Sequence, residues 1–489
     1  MNILIKKYIP DRFLKRNLDV IGFFQGKKAF SAPTLLQIDL INACNLKCIA
    51  CWCHSSDVAE LGLSPLEKKE LLSLEKIQQL IETLAPLGLR EVQISGGGEP
   101  FLHPHILEIL KIIKQNGIRV NIITNFTLMT EAIVKRLVEL KVDYITASIW
   151  AGTKETYAKL HPDTDPNIFF HIKEMLKLFN HLKQEGNLPQ IKIYNVISHL
   201  NCHELESMLD LALEGMVDFL EFTVVDIVEG KTDYLKLTSQ DKDILAQEIK
   251  KLKKRINYPD VPGTWQLENL KEPKHKEEFM EFGRFMKDTV LPGFTLDLEK
   301  KVVICPKGIK NSAVFCDEFL ECAFFFSFPR KKCDQCSDKR TCPVGNGQQI
   351  KAGFLSIVGF GSFTRRIFLG KQEGNKGQEN SIIDSMPCYA GWIYAKISAN
   401  GDVLSCCKAH KVPVGNINEQ DFLSIWNSKK QQRFRYKGKH AKKNDPFFMP
   451  INCYKACDNL GMNLSMHEKI KSLKPSRKLA LYLARIFYS

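Results

Sequence analysis

Cys44-Asn45-Leu46-Lys47-Cys48-Ile49-Ala50-Cys51 follows directly on an apolar run, Leu35-Leu36-Gln37-Ile38-Asp39-Leu40, that reads as a buried strand. The cysteines are spaced C-x3-C-x2-C. Three thiolates so placed can hold three irons of a four-iron cluster and leave the fourth iron without a protein ligand. An open metal position is where a metal does chemistry beyond holding a fold. A zinc site short of its fourth ligand and a redox-active thiol set share the spacing, and both stay open at this point.

Working outward, the chain alternates strands with helices. The expected elements are a helix over Leu74–Leu87, a strand at Glu91–Ser95, a helix at His105–Asn116 and a strand at Arg119–Thr124. A helix at Glu131–Leu140, a strand at Tyr144–Ser148 and a helix at Phe169–Gln184 continue the rhythm. A strand at Ile191–Ile197, a helix at Glu204–Gly215 and a strand at Phe219–Val224 close it. Six strands alternating with helices predict an α/β fold of parallel units with right-handed crossovers. Functional loops in such folds gather at the C-terminal strand ends. The cysteine triplet falls there, and so does Gly96-Gly97-Gly98-Glu99-Pro100. Consecutive glycines let the backbone approach a ligand with no Cβ in the way, and Glu99 adds a carboxylate suited to an ammonium group. A tight strand-end turn is the plainer use of the same glycines.

Together these residues resemble the radical S-adenosylmethionine (SAM) enzymes. The match covers about residues 34–230: Cys44, Cys48 and Cys51 after the first strand, Gly97-Gly98-Glu99-Pro100 after the second, Thr124-Asn125 after the third and Ser148 ending the fourth. The resemblance implies a partial (β/α)6 TIM-like barrel. It implies a [4Fe–4S] cluster on the three cysteines, with SAM on the open iron through its amino and carboxylate groups. Gly97, Gly98 and Glu99 would contact the methionyl ammonium and Ser148 the ribose hydroxyls; Thr124 and Asn125 match more loosely and read equally as a capped turn. Asn201 resembles a family position after the fifth strand. Ala50 stands where the family often has an aromatic residue, with Trp52 after the motif, so adenine packing is not carried over. The implied reaction is reductive cleavage of SAM to a 5′-deoxyadenosyl radical that abstracts a substrate hydrogen, with a small flavodoxin- or ferredoxin-type electron donor.

Eleven of the 16 cysteines lie from Cys305 onward. Cys388, Gly401, Cys406, Cys407, Cys453 and Cys457 resemble the SPASM or twitch auxiliary-cluster domain of many radical SAM enzymes, helped by an Asn400-Gly401 hairpin turn, Gly415-Asn416-Ile417 and Ile425-Trp426-Asn427. Cys388, Cys406, Cys453 and Cys457 are the expected ligands, with Cys407 competing for the second place and a structural zinc as the alternative occupant. Cys305, Cys316, Cys322, Cys333, Cys336 and Cys342 suggest a diverged duplicate, with Lys300–Cys305 laid over Gly401–Cys406; a zinc knuckle or structural thiols explain them equally. Cys53 and Cys202 lack ligand spacing.

The expected organisation is an extension over 1–33, the barrel over 34–230, a helical linker over 231–290, a cysteine-rich segment over 291–345, a flexible linker over 346–387, the auxiliary domain over 388–460 and a basic amphipathic helix over 461–489. The 489 residues are 44% hydrophobic and 25% charged, which reads as globular. Net charge is +14, from 69 Lys+Arg against 55 Asp+Glu, and no nucleic-acid-binding motif accompanies it. With no secretory signal or spanning run in view, the chain reads as cytoplasmic. At the C-terminus, Ser476 is the expected cap of a helix bearing Leu479, Tyr482, Leu483, Ile486 and Phe487 among basic residues, suited to an anionic membrane surface or to docking on the protein body. His103 and His105 read as capping and packing, and Lys250–Arg255 as a solvated helix face. Modification of a peptide or protein is the leading expectation. Chemistry on a sugar, alcohol or lipid-linked precursor is the second, and a non-catalytic metal-stabilised binding module the third.

Overall fold

The computed structural model describes residues 11–165, 167–183, 188–255, 386–451, 453 and 457–486, with backbone alone at 11, 253, 254, 295–297, 302–304, 310–312 and 356–358. Six strands, β1 (Leu35–Asp39), β2 (Glu91–Ser95), β3 (Arg119–Thr124), β4 (Tyr144–Ser148), β5 (Gln190–Ile197) and β6 (Phe219–Val224), pair in parallel in sequence order. Helices Leu74–Leu84, Ile106–Gln115, Glu131–Glu139, Ile168–Leu182 and Leu205–Glu214 connect them, each ending one to three residues inside the expected bounds at its C-terminus. Ser73 and Thr130 cap two of them by accepting from the Lys76 and Ile133 amides. The sheet stays open, as a partial barrel does.

Alternate residues explain which face is which. Leu36, Ile38, Val92, Ile94, Val120, Ile122, Ile145, Ile193 and Leu220 are fully buried in one core with the helices. Each such side chain contributes about 1.5–3 kcal/mol when removed from water. The opposite face carries Gln37, Gln93, Asn121, Thr146, Lys192 and Glu221, with a 2.7 Å ion pair between the last two. Parallel strands covered on both faces read as unbroken apolar runs. The opposite face here mixes those polar side chains with Ile123, Tyr194 and Phe219, and so alternates.

Both edges of the sheet are extended. β10 (Ser356–Val358), inside the stretch read as a linker, pairs in parallel with β6. β11 (Tyr394–Ile397) pairs in parallel with β1, Leu36 opposite Ala395 and Ile38 opposite Ile397. β12 (Asp402–Leu404) and β13 (Gly415–Asn416) follow antiparallel, with Gly401 at φ +90° in the expected turn. A separate antiparallel meander joins β7 (Thr295–Asp297), β8 (Val302–Ile304) and β9 (Lys310–Ser312). Cys305, Cys316, Cys322, Cys333, Cys336, Cys342 and the Gly370–Gln378 stretch lie outside the described residues.

The chain ends close the junction. Phe23, in the helix Leu18–Gln25, packs on Tyr389 and Trp392, whose indole donates to the Lys28 carbonyl. Arg435 is fully buried over the Trp426 ring and donates to the Gly391 and Lys27 carbonyls. At the strand joint, Lys396 of β11 meets Asp39 of β1 at 2.7 Å and the Tyr394 hydroxyl donates to Gln37. Burial raises the Asp39 carboxyl, and Lys396 pulls it back down. Lys396→Met therefore leaves a buried charge unpaired and is expected to cost about 3–5 kcal/mol at neutral pH. Protonation of Asp39 removes that charge, so the deficit should shrink as pH falls through the carboxyl's raised range. Thermal unfolding of wild type and variant from neutral to acid pH checks both.

Candidate active site

The C-terminal ends of β1, β2 and β3 bring the expected residues together. After β1, the triplet loop is fixed by backbone bonds from Cys51 to Cys48 and from Ile49 to Leu160, and by the Ser55 hydroxyl on the Ile49 carbonyl. The Leu46 amide donates to Cys44 Sγ at 3.5 Å, and Asn125 Nδ2 lies 4.0 Å from the same sulfur. Asn125 also donates to Asn45, which donates to Thr127, so the loop after β3 is tied to the triplet. Burial pushes the Cys44 thiol up to about 11 and Cys48 well above its ordinary value. A hydrogen bond from Cys53, with backbone donors from Cys53 and His54, brings Cys51 down to about 6. Cys53 is thus a neighbour of a candidate ligand.

The glycines are required by packing. A Cβ on Gly97 would lie 1.9 Å from Asn42 Oδ1, and one on Gly98 would lie 1.9 Å from the Ala43 carbonyl oxygen. The Glu99 amide donates to that same carbonyl, and His54 Nε2 donates to the Gly97 carbonyl at 2.6 Å. Gly98→Ala must displace backbone, and should cost about 3 kcal/mol and lower the iron content of the reconstituted protein. Denaturant titration and iron assay measure the two effects.

Glu99 is buried, and burial raises its carboxyl. Thr124 Oγ1 donates to Oε1 and the Asn125 amide to Oε2, each at 2.7 Å, with the Phe101 amide on Oε1 at 3.1 Å. The structure therefore uses Thr124 and Asn125 to aim Glu99. Ser148 ends β4 half-buried, on the face that carries Thr146. Asn201 is fully buried and bonds the Trp150 and Val196 carbonyls and the Ser198 amide, which ties the exits of β4 and β5. Trp52 is 54% exposed and borders, with Ala50 and Val58, a small cleft against Asp226 and Val228.

Cys388, Cys406, Cys453 and Cys457 line one small pocket, walled by Phe434, Phe448 and Ile451. Asn459 donates to Cys406 and Asn463 to Cys457, both at 3.6 Å. Such N–H···S bonds tune a bound cluster. Cys407 is absent from that lining and its thiol reaches Asp458 at 3.6 Å. Among the described residues, no three Cys, His, Asp or Glu side chains converge as a single ion requires.

The triplet also passes a test of fit. The Tyr157 hydroxyl is buried near Cys48 and Cys44 with no hydrogen-bond partner among the described residues, and burial holds its pKa above the ordinary tyrosine value. It is a buried donor in the neighbourhood of the cysteines that would hold a cluster. Sequence reading missed Tyr157, His54, Asn459 and Asn463, because their roles depend on contacts far along the chain and none belongs to a motif. His103 is buried on the Leu72 carbonyl, as packing requires. Lys251 and Arg255 pair with Glu206 and Asp210 on the neighbouring helix, and Cys202 bonds Asp241.

Residues 38–212 match the Radical SAM superfamily, and residues 388–457 match the SPASM iron-sulfur cluster-binding domain. A probable GTP 3′,8-cyclase of Sulfurisphaera tokodaii is 24% identical over 46% of this chain and 67% of its own length. The AdoMet-dependent heme synthase of Methanosarcina barkeri is 27% identical over 41% of this chain and 53% of its own length. The chain thus spans between about half and two thirds of these relatives. SuiB of Streptococcus suis, solved with S-adenosylmethionine, aligns over 83% of this chain and 68% of its own at 16% identity and a TM-score of 0.47.

Proposed function

From a chain that belongs to the radical SAM superfamily and carries a C-terminal SPASM domain, we propose an enzyme that modifies a peptide or protein by hydrogen abstraction. The joint between the two cysteine sites carries this reading. β11 pairs with β1, so the pocket of Cys388, Cys406, Cys453 and Cys457 is held against the strand that delivers the triplet. When bound, a [4Fe–4S] cluster and SAM supply the reductive C–S cleavage and the radical chemistry. Cys44, Cys48 and Cys51 would hold that cluster. Gly97, Gly98 and Glu99 would receive the methionyl ammonium, with Thr124 and Asn125 keeping the carboxylate aimed, and Ser148 would meet the ribose. Cys388, Cys406, Cys453 and Cys457 would hold an auxiliary cluster with no open iron, suited to relaying electrons or bounding the substrate. An external electron donor of flavodoxin or ferredoxin type would reduce the first site.

Glu99→Gln removes the charge that faces the ammonium. SAM binding should weaken by more than about tenfold, since hydrogen bonds to charged groups contribute about 1.5–3 kcal/mol; equilibrium dialysis on the reconstituted protein measures it. A small-molecule substrate is the second reading, favoured by the relatives named for GTP and heme chemistry. Deuterated candidate peptides, and deuterated nucleotide or porphyrin substrates, separate the two. Deuterium carried into 5′-deoxyadenosine from a peptide supports the proposal, and transfer from the small molecules alone overturns it.

A further inference from the structure

The two chain ends fold into one body with an unusual surface. Phe24 meets Tyr482 at 5.9 Å, Arg477 stacks over Phe13 at 5.5 Å, and Arg485 donates to the Phe24 carbonyl. Lys469 pairs with Asp19 at 2.7 Å. The last helix runs Pro475–Ala484, starting one residue before the expected cap, with Pro475 in its first turn. Leu481 and Ala484 face inward and are buried. The other face is largely exposed: Leu479 is 58% exposed, Ile486 53% and Leu483 40%, while Tyr482, 42% exposed, sits at its edge against Phe24. At spacings of three, four and seven these four share one side. The helix therefore docks through one side and presents apolar side chains on the other.

The sequence of the two terminal segments is one-sided in charge. Residues 1–33 and 461–489 together hold thirteen Lys and Arg against three Asp and Glu, so these segments supply ten of the chain's fourteen excess positive charges. Arg12, Lys15, Arg16, Lys474 and Lys478 are exposed and, among the described residues, none is paired with a carboxylate. We propose that this surface docks the protein on a bilayer rich in anionic phospholipid. Apolar side chains enter the acyl boundary while basic residues meet the headgroups, as on interfacial helices. A second copy of the chain fits poorly, because it would bring the same positive charge against itself. Nucleic acid leaves the apolar side chains without a partner. The helix lies on the surface and does not span; among the described residues no helix is long and apolar enough to cross a membrane.

The test is vesicle sedimentation of the reconstituted full chain. Vesicles of equal phosphatidylglycerol and phosphatidylcholine should pellet the protein, vesicles of phosphatidylcholine alone should not, and high salt should release it. Lys474→Glu/Lys478→Glu should weaken partitioning at least about tenfold, given roughly fivefold per basic residue. Leu479→Asp/Leu483→Asp should abolish it, with circular dichroism and iron content matching wild type to exclude misfolding. Wild type that stays in the supernatant, equal binding to both vesicles, or undiminished binding by the Leu479→Asp/Leu483→Asp variant overturns the proposal. So does a concentration-dependent dimer of wild type that this variant dissolves, which would assign the face to a second copy.

Discussion

Replacing Cys44, Cys48 and Cys51 together by alanine is expected to remove about four irons per chain and to abolish 5′-deoxyadenosine formation from SAM. The loop itself should survive. Its backbone bonds, Cys51 to Cys48 and Ile49 to Leu160, use no sulfur, and Asn45 remains tied to Asn125 and Thr127. What is lost is the negative charge that the site is built to carry: the Leu46 amide and the Asn125 side chain both point donors toward Cys44. Iron analysis, visible absorption and nucleoside chromatography report the outcome. A variant that keeps all its iron would place the cluster elsewhere. A variant that loses iron but still cleaves SAM would separate the triplet from the chemistry.

The second large effect concerns the pocket after β11. Cys388→Ala/Cys406→Ala/Cys453→Ala/Cys457→Ala should lose a further set of about four irons and retain cleavage of SAM, because a fully ligated cluster offers SAM no open iron. Substrate turnover should fall to background if that cluster accepts or relays an electron. Cys407→Ala is the paired control. Its thiol turns to Asp458 and lies outside the pocket that the other four line, so its iron content should equal wild type. Iron lost from Cys407→Ala and kept by Cys406→Ala would exchange the two assignments. Tight zinc in place of iron, with turnover intact, would make the pocket structural.

Much of this architecture was legible in the chain itself. Alternating Leu36/Ile38 and Val92/Ile94 periods gave the strands, and glycines after β2 announced a close backbone approach. Local periodicity carries such information because side-chain burial follows it residue by residue. The strand-end motifs gave the fold class and the cysteine set for the same reason. The parallel pairing of β1 with β11 was not legible, since it joins residues some 360 positions apart through no motif. Nor were the Asp39–Lys396 pair, the Asn459 and Asn463 donors or the buried Tyr157 hydroxyl, each set by packing at a distance. Thr124 and Asn125 show the limit differently. The motif flagged the right place, yet only the contacts show them bonded to Glu99.

One measurement bears most directly on the central claim: 5′-deoxyadenosine produced from SAM by the anaerobically reconstituted, reduced wild-type chain, with iron counted on the same sample. The account predicts nucleoside formation by protein holding at least two clusters, about eight irons. A chain that takes up zinc and no iron, and releases no nucleoside under reduction, would contradict it.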